Sequence, residues 1–139
     1  MILVDTGPIV ALLDPADELH SACVNTLKLI TEPLGTTTPV LTEAFHLLTP
    51  GSIGCSNLMR YIGDGGLTVW FLGADTLDRA FELMDEYSDH PMDLADASLV
   101  VMAEVENLHR VFTIDRGDFA SYRIRRGHRY RAFELIGPS

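Results

Sequence analysis

Short apolar runs without polar alternation are separated by longer stretches of helical period along this chain. Ile2-Leu3-Val4 is such a run, and residues 1–5 read as a strand buried on both faces, as in the interior of a parallel sheet. Thr6-Gly7-Pro8 then turns the chain into a helix, with proline at an early helical position where its missing donor costs little. Asp14-Pro15 ends that helix. A second amphipathic helix is predicted over Asp17 to Ile30, with Leu19, Ala22, Cys23, Thr26, Leu27 and Ile30 on its apolar side, and Pro33 stops it. Gly35 to Thr38 is short and β-branched, a predicted strand, and Pro39 starts a helix from Val40 to Leu48.

Beyond the break at Pro50-Gly51, Ser52 to Ile62 reads as a helix weakened by Gly54, and Gly63-Asp64-Gly65-Gly66 as a turn. Leu67 to Leu72 is a strand. Asp75 is expected to cap a helix reaching Tyr87, and Pro91 breaks the chain again. Asp93 to Glu106 is helical, with Leu94, Ala97, Val101 and Val105 available for a buried stripe. Arg110 to Ile114 is the next strand, and Arg129 to Ile136 a last one at the sheet edge. Strands alternating with helices predict a three-layer α/β sandwich with a mostly parallel central sheet. Sites in such sheets lie beyond the carboxyl ends of strands, near the topological switch.

Composition narrows the class. A chain of 139 residues with 47% hydrophobic positions fits one folded domain, spanning 1–139. No apolar run approaches the roughly 20 residues of a membrane span, and no basic region precedes the first apolar run as a signal peptide would require. Two cysteines are no disulfide framework and suggest a reducing, cytoplasmic setting. Cys23 with His20, and Cys55 with His46, lack zinc-ligand spacing.

The net charge of −10 argues against polyanion binding by the whole surface. Its distribution is uneven. Arg116, Arg123, Arg125, Arg126, Arg129 and Arg131 crowd into positions 116–131 with one acid, Asp118, so that segment carries +5 against −15 for the remainder. Such a segment can contact a phosphate backbone or an acidic partner, or can simply be a solvated terminal hairpin.

Four acids sit where carboxylates are normally unwelcome. Ile2-Leu3-Val4 runs into Asp5, Val111-Phe112-Thr113-Ile114 runs into Asp115, and Glu43 and Asp96 lie inside apolar helical patterns. If they converge, two unit charges ~4 Å apart repel by roughly 4 kcal/mol at an effective dielectric of about 20, so a cation is called for. An all-carboxylate cluster selects a hard cation, Mg²⁺ or Mn²⁺. Asp93 lies one helical turn before Asp96 and can serve either that site or the helix N-terminus as a cap. Thr6 and Thr113 can orient carboxylates or satisfy local backbone groups, and Asp118 fits a supporting role. Glu43 could equally be a solvated helix position.

Asp5-Thr6-Gly7 matches the catalytic loop of aspartic proteases, but it precedes a helix here and has no second copy. Gly7 also denies the second Asp that haloacid dehalogenase phosphatases carry. Four segments in order do fit one family: Ile2-Leu3-Val4-Asp5-Thr6-Gly7-Pro8, Pro39-Val40-Leu41-Thr42-Glu43-Ala44, Met92-Asp93-Leu94-Ala95-Asp96-Ala97-Ser98-Leu99, and Phe112-Thr113-Ile114-Asp115-Arg116-Gly117-Asp118-Phe119. Together they resemble the PIN domain and, within it, the VapC-type ribonuclease toxins of toxin–antitoxin modules, over nearly the whole chain.

The resemblance implies metal ligation by Asp5, Glu43, Asp96 and Asp115, with Asp93 as a possible addition. It also implies Mg²⁺- or Mn²⁺-dependent cleavage of RNA to 5′-phosphate and 3′-hydroxyl ends, a cognate antitoxin that covers the site, and a homodimer. Arg116, Arg123, Arg125 and Arg126 are candidate RNA contacts beside an otherwise repulsive acidic cluster. Two other readings use the same residues: a non-catalytic PIN-like scaffold, and a metal-dependent phosphatase or DNA nuclease.

Overall fold

The computed structural model describes residues 1–138. Five parallel strands form the central sheet in the order β3-β2-β1-β4-β7: β1 (Ile2–Val4), β2 (Leu34–Thr37), β3 (Thr68–Trp70), β4 (Arg110–Phe112) and β7 (Glu134–Ile136). Helices α1 (Thr6–Leu13), α2 (His20–Leu29), α3 (Thr38–Leu48), α4 (Ile53–Gly63), α5 (Ala74–Glu86) and α6 (Leu94–Val105) flank it, as the strand–helix alternation requires. A short helix α7 (Arg116–Ser121) and an antiparallel hairpin, β5 (Arg123–Arg126) with β6 (Arg129–Ala132), lie between β4 and β7. The α/β architecture expected from the pattern is the one observed.

The sheet is held by its buried centre. Leu3, Val111 and Phe112 are completely buried, and Ile2 and Val4 nearly so. Burying each such side chain contributes roughly 1.5–3 kcal/mol. Helix α6 is buried almost continuously from Ala95 to Ala103, so it behaves as a core element rather than an amphipathic one. It is pinned to β2 where the Thr37 and Ser98 hydroxyls meet at 2.6 Å. The buried polar residues are Asp5, Thr6, Thr36, Thr37, Ser98 and Thr113, and those on or next to strands β1, β2 and β4 all lie at carboxyl ends. Polarity is therefore admitted to the interior along one edge of the sheet.

The chain builds β1, β2 and β3 outward in one direction and then returns to place β4 on the other side of β1. The switch point thus falls between β1 and β4, whose register sets Leu3 against Val111 and Val4 against Phe112. Continuing that register, the Asp5 amide donates to the Phe112 carbonyl at 3.0 Å.

Several local expectations are corrected. The predicted strand Arg129–Ile136 is two strands. Its first half pairs with β5, and after the buried Phe133 its second half joins the central sheet beside β4. Strand β5 was not foreseen, because Arg-Ile-Arg-Arg has a single apolar side chain, Ile124, to bury. Asp75 does not cap α5; Gly73 holds the cap position and Asp75 lies in the first turn, where its charge favours the helix dipole. Helix α2 begins at His20 rather than Asp17, whose carboxylate instead accepts from the Leu19 amide in a local turn. Thr38 belongs to α3, not to a strand, because the Thr37 hydroxyl accepts from the Val40 amide as an N-cap.

The junction after β7 offers a test. Gly137 has φ +141°, a conformation side chains rarely adopt, and a Cβ there would collide with the Thr113 carbonyl. Gly137→Ala is expected to cost roughly 1–3 kcal/mol in urea unfolding, because backbone must move. Stability equal to wild type would contradict this close approach.

Candidate active site

Asp5 follows β1 directly and Asp115 opens α7 just past β4, so both stand at the switch point. The β1–β4 register sets Thr113 beside Asp5, and the Thr113 hydroxyl donates to Asp5 Oδ2 at 3.0 Å. The same hydroxyl accepts from the Asp115 amide at 2.9 Å, so one threonine fixes both acidic positions. Beneath it, Thr113 is tied to β7 through its amide and the Ile136 carbonyl.

Helices bring in the other acids. Asp93 caps α6, accepting from the Asp96 amide at 2.8 Å, and that places Asp96 in the first turn facing the strand ends. Glu43 arrives from α3. Asp5, Glu43, Asp93, Asp96, Asp115 and Asp118 all line one cleft of about 320 Å³, with Thr6, Gly7 and Ile114 in its walls. Gly7 lets Ile114 pack closely over it: a Cβ there would meet Ile114 Cγ1 at 2.5 Å, and that exposed side chain would have to turn away. Among the described residues, none lining the cleft is basic. The four acids singled out from sequence therefore share one cavity, and Asp93 acts as both cap and cleft wall.

The carboxylates surround the cleft without closing on a common point. No group of three His, Cys, Asp or Glu among the described residues is arranged to hold an ion by itself.

Burial and mutual proximity disturb their ionisation. Asp5 is 7% exposed. Its carboxyl is pushed up to about 6, chiefly by burial, with the Thr6 backbone and Thr113 hydroxyl opposing and Glu43 and Asp115 adding repulsion. Asp96 is pushed up to about 7, again chiefly by burial and then by Asp93 and Asp5. Asp115 is raised by its hydrogen bond with Asp118 and by burial, while Asp118 is lowered by that bond and by His90.

Two participants were not legible in the sequence. Tyr122 is fully buried and packs edge-to-face on Tyr87 and Phe119, yet its hydroxyl donates to Asp96 Oδ2 at 2.9 Å. Burial and Asp96 raise the Tyr122 phenol, which keeps it a donor. His90, in the loop before α6, meets Asp118 at 2.5 Å. Neither carries a motif; an aromatic before an arginine-rich run reads as ordinary core. The Thr6 hydroxyl is buried and without a hydrogen-bond partner among the described residues.

The arginines are placed otherwise than expected. Only Arg116 adjoins the cleft in sequence, and its guanidinium donates to the Gly137 carbonyl. Arg123 is turned onto the Ala120 and Tyr122 carbonyls. The Arg125 amide bonds Glu104, about 12 Å along α6 from Asp96 at 1.5 Å per residue. Arg126 bonds the Leu108 carbonyl, beyond that helix's end. The basic hairpin thus runs along α6 away from the cleft instead of rimming it.

A parallel α/β domain with an acidic cleft at the switch between β1 and β4 defines a class of carboxylate-centred proteins. The chain belongs to the PIN domain family, whose model matches residues 2–124. It is 24% identical over 131 residues to Ribonuclease VapC26 of Mycobacterium tuberculosis, covering 93% of this chain and 97% of that one. Its fold is similar to the sarcin–ricin loop cleaving toxin VapC20 of the same organism, with a TM-score of 0.73 at 18% identity over 84% of this chain and 91% of the other. A toxin–antitoxin complex from Klebsiella pneumoniae contains a chain similar at TM-score 0.64 and 17% identity, over 87% of this chain and 92% of that one. The PIN resemblance read from the four motifs is borne out.

The raised carboxyls have a thermodynamic consequence. Asp5 and Asp96 hold protons in the folded state that an unfolded Asp, at its ordinary 3.8, has already released. Across that window the folded chain binds more protons, so metal-free stability falls as pH rises from about 4 towards 7. For Asp5 alone the loss is about 2–3 kcal/mol, at 1.36 kcal/mol per pKa unit. Asp5→Asn keeps an oxygen for Thr113 and is expected to flatten that decline and raise the metal-free unfolding temperature at pH 7.5. An unchanged pH profile in the variant would contradict the buried-charge reading.

Proposed function

We propose that this chain is a metal-dependent endoribonuclease acting as the toxin of a toxin–antitoxin pair. The observation that carries the reading is the cleft itself: six carboxylates, among them the buried Asp5, and no basic side chain among the described residues. PIN-domain membership and the VapC-type relatives support it.

The donor set of the cleft suits a hard divalent cation, Mg²⁺ or Mn²⁺. Asp5, Glu43, Asp96 and Asp115 would hold it, with Asp93 and Asp118 adding charge nearby. Such a cation supplies charge neutralisation at a phosphodiester and acidifies water.

The chain's own residues prepare the site for this. Thr113 holds Asp5 in place through one of its carboxylate oxygens. Tyr122 does the same for Asp96. Fixing ligands by hydrogen bonds from behind lowers the cost of assembling them. Asp93 spends one oxygen on the α6 amide and keeps one facing the cleft. Asp118, held charged by its contacts with Asp115 and His90, works against ionisation of its neighbour Asp115 until a cation arrives. Until a cation neutralises the cleft, its field repels RNA.

An antitoxin partner is supported by the Klebsiella complex, and a cleft so acidic suits a cationic side chain of such a partner. A homodimer remains part of the same reading, by family resemblance.

The test uses purified protein with Mn²⁺ or Mg²⁺ against RNA, single-stranded DNA and a phosphomonoester. Cleavage of RNA, with products carrying 5′-phosphates, is expected for wild type, and Asp5→Asn should fall to background while remaining folded. Mn²⁺ should raise the melting temperature of wild type. Full activity in Asp5→Asn would refute the site, turnover of DNA or the monoester in place of RNA would refute the substrate, and no turnover with no thermal shift would favour a scaffold.

A further inference from the structure

Beside the acidic cleft lies a second, larger cavity of about 600 Å³, between α3 and the first turn of α6. The two share Glu43 and Asp93 as a common wall, so a chain lying across the cleft continues into the groove. Thr38, Thr42 and His46 follow one another at helical spacing of four along α3 and line one side. Pro39, Leu94 and Ala95 supply apolar surface.

The lining selects among the parts of a nucleotide. Neither lysine nor arginine lines the groove among the described residues, and Glu43 and Asp93 form the wall it shares with the cleft, so it repels a phosphate. It does suit a flat neutral group with apolar faces and a polar edge. Thr42 donates its proton to the Thr38 carbonyl at 3.0 Å, which leaves the hydroxyl lone pairs free to accept. His46 is exposed, and its ring can stack or hydrogen-bond. The volume lies within the roughly 300–1,000 Å³ of small-ligand sites.

We propose that this groove seats the base of a ribonucleotide flanking the cleaved phosphodiester, with Thr42 and His46 contacting the base and Pro39 and Leu94 its faces. This rests on the nuclease reading above. It divides the work between two adjoining cavities: the carboxylate-rich cleft handles the phosphodiester, and the groove on α3 handles the base beside it. Sequence preference at the cut would then originate on α3.

Amide NMR in Mg²⁺ tests this with three probes: short phosphorothioate oligoribonucleotides, which resist hydrolysis; the same oligomers with one abasic residue; and the four ribonucleoside 5′-monophosphates. The intact oligomers are expected to shift amides of Thr42, His46 and Leu94. An abasic residue at the seated position should weaken binding roughly five- to 150-fold. His46→Ala should weaken binding of the intact oligomer and shrink the abasic penalty, since both changes remove one contact. An abasic penalty unaltered by His46→Ala, or groove shifts absent while Mg²⁺ still shifts the cleft amides, would overturn the subsite alone. Monophosphates binding as tightly as oligomers would make the groove a free-nucleotide site and overturn the substrate assignment. No response of the cleft amides to Mg²⁺ would instead overturn the nuclease reading beneath it.

Discussion

Repulsion among carboxylates that the backbone does not allow to separate is the constraint on which this structure turns. Asp5 and Asp115 are delivered by neighbouring parallel strands, and the spacing of β1 and β4 is fixed by their hydrogen-bonded ladder. Asp96 is delivered by a helix buried along most of its length and pinned to β2 through Ser98 and Thr37. Side chains on such supports can rotate apart, but they cannot leave. Their cost appears as carboxyls raised at Asp5 and Asp96, chiefly by burial and further by the neighbouring acids, and as a raised Asp115 beside Asp118.

The rest of the fold is arranged to sustain that cost. Leu3, Val111 and Phe112 give the sheet its buried centre directly beneath the acidic edge. Threonines mark the transition between the two. Thr36 donates to the Val4 carbonyl, Thr37 caps α3, and Thr113 serves Asp5 and Asp115 at once. Each is β-branched enough to sit in a strand and polar enough to satisfy what the strand end exposes. Tyr122 extends the same logic from the far side, burying its ring among aromatics while its hydroxyl reaches Asp96. A site charged on its inner face thus rests on neutral donors that titrate outside the working range.

Much of this was legible in the sequence, for a physical reason. Parallel strands buried on both faces read as unbroken apolar runs, so the acids that end them, Asp5 and Asp115, stand out. Asp93 and Asp96 are also visible, because a cap and a first-turn acid recur at fixed spacing. The hairpin was not visible: Ile124 alone cannot signal a strand among arginines. Nor could sequence show which way that hairpin runs. Arg125 and Arg126 follow the cleft residues closely along the chain, yet β5 carries them towards Glu104 and Leu108 at the opposite end of α6. Tyr122 and His90 escaped because their roles depend on distant partners, Asp96 and Asp118.

The central claim is that a divalent cation belongs among these carboxylates and relieves their repulsion. Diffraction from crystals grown with Mn²⁺, collected at the manganese absorption edge, tests it most directly. An anomalous peak is expected in the cleft, bounded by Asp5 and Asp96, with both carboxylates turned onto it. A well-ordered cleft without a peak, or manganese bound only elsewhere on this acidic surface, would contradict the claim.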